Sequence, residues 1–197
     1  MTDTPEHEHQ HVASYPDLME RYRGEKDAYF KQGAGSPIPA PEREAFTGLS
    51  YFPVNEDAIA DGLVLEPYTG LEPVAFSIAT TDGRLRPAER AGIFQFELLG
   101  AFHALTAYRL AGTDGVLDHD SLFVPFLDAT SGSDTYGAGR YLDVDQEEDG
   151  TFTLDFNMAY HPSCVYDTRF SCPLTPAENR LAIRLEAGER LGADGHD

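Results

Sequence analysis

In GRYLDVDQEEDGTFTLDFN, residues 139–157, two runs that alternate apolar and polar side chains flank the acidic turn QEEDG. A period of two is the mark of a half-buried strand, and two such runs around a turn predict an antiparallel hairpin. Setting Asp145 opposite Thr151 pairs Val144 with Phe152, Leu142 with Leu154 and Arg140 with Phe156. The apolar sets then coincide on one face, while Tyr141 lies opposite Asp155 on the other. In this register Arg140 shares the face of Leu142 and Phe156. A guanidinium turned toward apolar surroundings needs a carboxylate or a bound anion, because an unpaired buried charge costs several kcal/mol or more. Asp128, Glu97 and His103 are the internal groups that the neighbouring segments offer.

Working outward, similar short runs recur at 62–68, 73–80, 91–99, 101–110 and 121–129, and RLAIRLEA (180–187) closes the set. Clusters such as TTDGR and AGTDGV separate them, with Asp-Gly pairs suited to tight turns. Strands at this spacing, without intervening helices, predict a mainly β fold, either an antiparallel barrel or a strongly curved sandwich. The N-terminal part differs. Leu18, Tyr22, Ala28 and Tyr29 recur at helical spacing between Tyr15 and Lys31, and Pro16 suits a first helical turn. GAGSPIPAPE then ends the helix, with a short helical turn expected at 41–46. The expected organisation is a polar, disordered tail at 1–13 carrying His7, His9 and His11, one domain over 14–190, and a flexible end at 191–197. Within the domain, a helical and Pro-rich segment at 14–46 packs on a β core at 47–190.

The 197 residues carry 34 acids against 14 bases, a net charge of −20, and only two lysines, Lys26 and Lys31. Such a field repels phosphate backbones and anionic membranes, so neither nucleic acid nor membrane is an expected partner. The acids are spread along the chain rather than gathered for a basic partner. Abundant Asp and Glu with scarce Lys suits a protein of a salt-rich cytoplasm, where salt screens the self-repulsion. No apolar run reaches the roughly 20 residues of a membrane helix. The start lacks the apolar core of a secretory signal, and a cytoplasmic location is expected.

FVPFLDATSGSDTYGAGRYLDV, LDFNMAYHPSC, SCPLTPAENRL and AGER, with the earlier GSPIP and FTGLSYFPV, resemble the family known as domain of unknown function 1684. The resemblance spans roughly residues 20–190 and rests on several motifs in order. It implies no transferable activity. The chain has His161 where the family pattern has Asn in AYNP, so a role for His161 as a family-wide ligand or base does not follow.

The candidate site lies between 128 and 161. DATSGSDTYGAGRY (128–141) has the composition of a tightly turned loop whose N–H groups, together with Arg140, suit a small anionic ligand. Tyr136, Asp155, Asn157, Tyr160 and His161 complete the candidate binding set, and barrel mouths are frequent places for such pockets. The competing reading makes Asp128, Thr130 and Ser131 turn caps and pairs Arg140 with an internal acid. Asn179, in PAENRL, is expected to bond backbone. Cys164 and Cys172 admit four readings, ranked in this order: packing, a disulfide, a metal site, a nucleophile. Cys-x7-Cys with one histidine falls short of a zinc ligand set. No motif for a nucleotide, flavin or metal is present, and no catalytic residue is assigned. Small-molecule binding leads. An interaction domain is the alternative, ahead of a hydrolase or a flavin-binding split-barrel-like enzyme.

Overall fold

A computed structural model describes residues 13–112, 117 and 121–192. The histidines of the N-terminal tail and the last five residues of the expected flexible end lie outside them. Helix α1 spans Tyr15–Gln32, as its spacing predicts. Ser14 caps it reciprocally with Asp17: the Ser14 hydroxyl accepts the Asp17 N–H at 3.3 Å, and the Asp17 carboxylate accepts the Ser14 N–H at 3.1 Å. The docked face differs from the expected one. Met19 and Phe30 are buried, whereas Leu18 and Tyr29 are exposed.

Charged residues complete that face. Lys26 Nζ lies 2.6 Å from Glu189 Oε1, Arg23 Nη1 donates to the Phe52 carbonyl at 3.1 Å, and Asp27 Oδ1 accepts the Leu49 N–H at 2.9 Å. An apolar periodicity search reads such residues as solvent-facing, and so it selects the neighbouring stripe. Lys31 bonds the Phe46 carbonyl at 2.9 Å, so both lysines of this lysine-poor chain tie the helix down. A 3-10 turn at Ala40–Glu42 follows, near the expected short helix.

The rest is mainly β and antiparallel. The strands are β1 (Ser50–Tyr51), β2 (Ile59–Leu63), β3 (Ala75–Ala79), β4 (Leu85–Leu98), β5 (Ala101–Leu110), β6 (Leu122–Phe126), β7 (Arg140–Val144), β8 (Phe152–Asp155) and β9 (Glu189–Arg190). β3 to β7 form one sheet in sequence order, β2 pairs with β8, and β1 pairs with β9. Among the described residues the ladders do not close into a barrel. β2 and β8 instead lie over the five-stranded sheet and share one core with it, including Ala60, Phe94, Phe96, Leu105, Val124, Phe126, Leu142 and Leu154.

The hairpin register is displaced from the expected one. Gln146, not Val144, stands opposite Phe152, two residues along. An even shift leaves every side chain on its face, so the inward set of Leu142, Val144, Phe152, Leu154 and Phe156 survives. The pairing ends there, because β8 leaves β7 to pair with β2 through Ile59–Asp155 and Ala60–Leu154. The expected cross-strand pairs Arg140–Phe156 and Tyr141–Asp155 therefore do not form.

RLAIRLEA is not a strand either. Its backbone is taken up by isolated bonds: Leu181 N–H to the Leu127 carbonyl at 2.7 Å, and Leu185 N–H to Asp128 Oδ2 at 2.7 Å. Carbonyls of the segment bond the Arg140 side chain instead of a neighbouring strand. Gly188, at φ 74°, lets the chain then press on the turn after β8, where an added Cβ would sit 2.6 Å from the Ala159 carbonyl oxygen.

β5 and β6 share one bridged pair, Tyr108–Phe123. Where they diverge, the buried Asn179 side chain fills the gap. Its Oδ1 accepts the Thr106 N–H at 2.8 Å, and its Nδ2 donates to the Thr106 and Pro125 carbonyls at 2.8 and 2.7 Å. The side chain replaces a stretch of ladder, which is the backbone-bonding role expected of it.

Candidate functional site

Arg140 is fully buried, as its place on the apolar face requires. Its guanidinium donates to the carbonyls of Leu185 (2.8 Å), Glu189 (3.1 Å) and Ala187, and lies 3.6 Å from Asp128 Oδ1. Asp128 accepts the Thr130 hydroxyl at 2.8 Å and the Leu185 N–H at 2.7 Å. Arg140 is thus a brace between β7 and the segment 185–189. It does not line the cleft described below. Glu97 and His103 are not its partners: Glu97 is exposed, and the His103 ring lies 3.3 Å from the Leu98 carbonyl oxygen. The 128–135 loop spends most of its donors on itself, with Gly132 N–H bonding the Thr135 carbonyl at 2.9 Å and Asp134 N–H the Thr130 carbonyl at 3.0 Å, while Ala129 N–H bonds the Ile183 carbonyl at 2.8 Å. The capping reading of this loop matches its bonds.

The other candidate residues divide. Asp155 accepts the Tyr15 hydroxyl at 2.6 Å and the Asn157 N–H at 3.0 Å, and Asn157 is locked to both backbone groups of Asn55 at 2.8 Å. Both hold α1 and the 55–58 turn against β8. His161 is buried. Its backbone N–H donates to Glu189 Oε2 at 2.6 Å, and its ring Nε2 accepts the Tyr136 backbone N–H at 3.3 Å. Burial, reinforced by the charges of Arg140 and Lys26, pushes the imidazole down to about 3, so it is neutral at ordinary pH. Glu189, which the motif AGER contains but sequence reasoning passed over, is the hub of this region. It also accepts the Tyr166 hydroxyl at 3.1 Å.

Tyr160 alone of the candidate set lines an open cleft, of about 390 Å³, on the opposite face of β7 from Arg140. Its floor is aromatic: the Tyr141 ring stands edge-on to Phe123 at 4.7 Å and to Tyr160 at 5.7 Å. Tyr160 donates to Asp143 Oδ2 at 2.6 Å, and Tyr141 donates to the Pro173 carbonyl. Burial and the Asp143 carboxylate raise the Tyr160 phenol well above its usual range, and it stays protonated. The loop 162–173 forms one wall, with Pro162, Ser163, Phe170, Ser171 and Cys172.

Arg86 is the cationic side chain among the lining residues, and its Nε donates to the Ala111 carbonyl at 2.6 Å. Sequence reasoning missed Arg86 because β4 begins at Leu85, six residues before the expected run at 91, in the charged stretch LRPAER. Phe123 was legible in principle. It faces Asp143 across the β6–β7 ladder, and that pairing extends the hairpin face of Tyr141.

Among the described residues no group of three or more His, Cys, Asp or Glu is placed to hold a metal ion, and no helix is long and apolar enough to cross a membrane. Comparison with curated proteins finds no match. Among solved structures, the chain is similar to the solution NMR structure of an uncharacterized protein of Haloarcula marismortui. The two are 35% identical, the match covers 90% of this chain and 95% of that one, and the TM-score is 0.65. The model of the protein family of unknown function DUF1684 matches residues 44–190, the span holding every strand, Arg140 with its carbonyl partners and the cleft. The chain belongs to this family.

Proposed function

We propose that the chain is a cytoplasmic protein that binds a small molecule bearing an anionic group in the cleft of Tyr141, Asp143 and Tyr160. The observation that carries the reading is the combination of one lining cation, Arg86, with a floor of three edge-on rings. A guanidinium offers forked donors to a carboxylate or phosphate, and aromatic faces accept a flat apolar body. The anion anchor is then Arg86, in place of the buried Arg140. We read residues 14–190 as one folding unit and its β core as a strongly curved sandwich, with the cleft on the outer face of the larger sheet.

Thermal melting tests it with a panel of aliphatic carboxylates, aromatic carboxylates and phosphate monoesters. A ligand present at 100 times its dissociation constant adds about 2.7 kcal/mol of stability. At least one class is expected to raise the melting midpoint. Arg86→Ala should remove that rise while costing the empty protein about 1 kcal/mol or less, as a partly exposed site does. If no class raises the midpoint, or the rise survives Arg86→Ala, the interaction-domain alternative takes its place.

The acidic composition supports a halophilic setting, as does similarity to a protein of Haloarcula marismortui. With a net charge of −20, screening should matter at concentrations well above physiological, where the Debye length shrinks from about 8 Å to about 3 Å at 1 M. Denaturation midpoints are expected to rise steadily from low to molar KCl. A midpoint that is flat or falls with salt removes the halophilic reading.

A further inference from the structure

Two cysteines lie together in the loop that walls the cleft, Cys172 lining it, and the ligand reading does not use them. Both are free thiols. Cys172 is 7% exposed and lines the cleft, and Cys164 is half-buried. The Cys164 N–H donates to Cys172 Sγ at 3.3 Å, and the Cys172 N–H donates to Thr81 Oγ1 at 3.1 Å. Seven residues separate the cysteines, and the 3-10 turn Ser163–Val165 followed by the 166–171 loop folds the chain back to bring them together.

We propose that Cys164 and Cys172 are a redox dithiol that reduces low-molecular-weight disulfides, with Cys164 as the attacking sulfur and Cys172 as the resolving one. The Cys164 thiolate attacks one sulfur of the disulfide RSSR, forming a Cys164–S–S–R bond and releasing RS⁻, which takes a proton. Cys172 then loses its proton and attacks the Cys164 sulfur, closing the Cys164–Cys172 disulfide and releasing the second RS⁻. The protein gives up two thiol protons and two electrons, and one RSSR becomes two RSH. The division of labour follows from position. Cys164 is the more exposed of the two residues, and its neighbour Cys172 holds its thiol well below the usual range, while Cys164 and burial push the Cys172 thiol up. A thiolate that is populated at neutral pH, with a partner thiol in contact, is the arrangement that fast exchange needs.

The test treats the native full chain with hydroxyethyl disulfide and follows free thiols and intact mass. The wild type is expected to lose both thiols and two hydrogens of mass, with no retained adduct and a single 164–172 cross-linked peptide. Cys172→Ser should accumulate one mixed disulfide at Cys164, and Cys164→Ser should stay unreacted in native buffer. The initial rate in the wild type should rise with pH about a midpoint well below the 8.5 of an ordinary thiol. Stable adducts on the wild type, or reaction only after unfolding, overturn the proposal, and these readouts need no variant to fold. Equal reactivity of Cys164→Ser and wild type overturns the assignment of the attacking sulfur.

Discussion

Arg140→Ala is expected to lower folding stability by about 3–5 kcal/mol, the range found when one partner of a buried ion pair is removed. The side chain is fully buried, and its removal takes donors from the carbonyls of Leu185, Ala187 and Glu189 at once. It also leaves Asp128 as an uncompensated carboxylate at 1% side-chain exposure. Arg140→Lys should recover only part of the loss, since an ammonium cannot span carbonyls on both sides of its fork. Adding Asp128→Asn to Arg140→Ala should cost less than the sum of the two single changes, because the stranded charge is then gone. Urea denaturation of the wild type and the four variants, Asp128→Asn alone included, measures this. A loss below about 1 kcal/mol for Arg140→Ala would show that the segment 185–189 is held without the Arg140 brace.

Asn179→Ala should be nearly as damaging, by about 3–5 kcal/mol. It leaves the Thr106 N–H, the Thr106 carbonyl and the Pro125 carbonyl without partners inside the sheet, and each unsatisfied buried group costs about 1–3 kcal/mol. Asn179→Asp is the sharper probe. It keeps an acceptor for the Thr106 N–H but sets a carboxylate against two carbonyl oxygens, and should be at least as destabilising as alanine. Hydrogen exchange adds a local readout. Protection of the Thr106 amide should fall by more than that of the amides in the β3–β4 ladder. Uniform loss across both would mean that Asn179 acts only through global stability.

Much of this fold could be read from alternation and turn chemistry. The helix from Tyr15, the strand runs around 73–80, 101–110 and 139–157, and the inward set from Leu142 to Phe156 all follow from side-chain period, and period is local. The inward set even tolerated a wrong register, because the true one differs by two residues and an even shift conserves facing. Arg140's burial was legible for the same reason, as was its need for an answering charge.

The failures share a different cause. The docked face of α1 is charged, so apolar spacing chose Leu18 and Tyr29 instead of Met19 and Phe30. RLAIRLEA has the alternation of a strand, yet Arg140 and Asp128 claim its backbone groups. The cleft opens on the face of β7 opposite Arg140, with Arg86 brought in from β4 and the loop 162–173 forming one wall. Sequence alone therefore determined most of the elements, the buried face of the central hairpin and the family. Tertiary structure alone decided which acid answers Arg140, which cation faces the cleft and that the two cysteines lie together. Those outcomes depend on residues far apart in the chain competing for the same partners, and that competition is settled only when the segments pack.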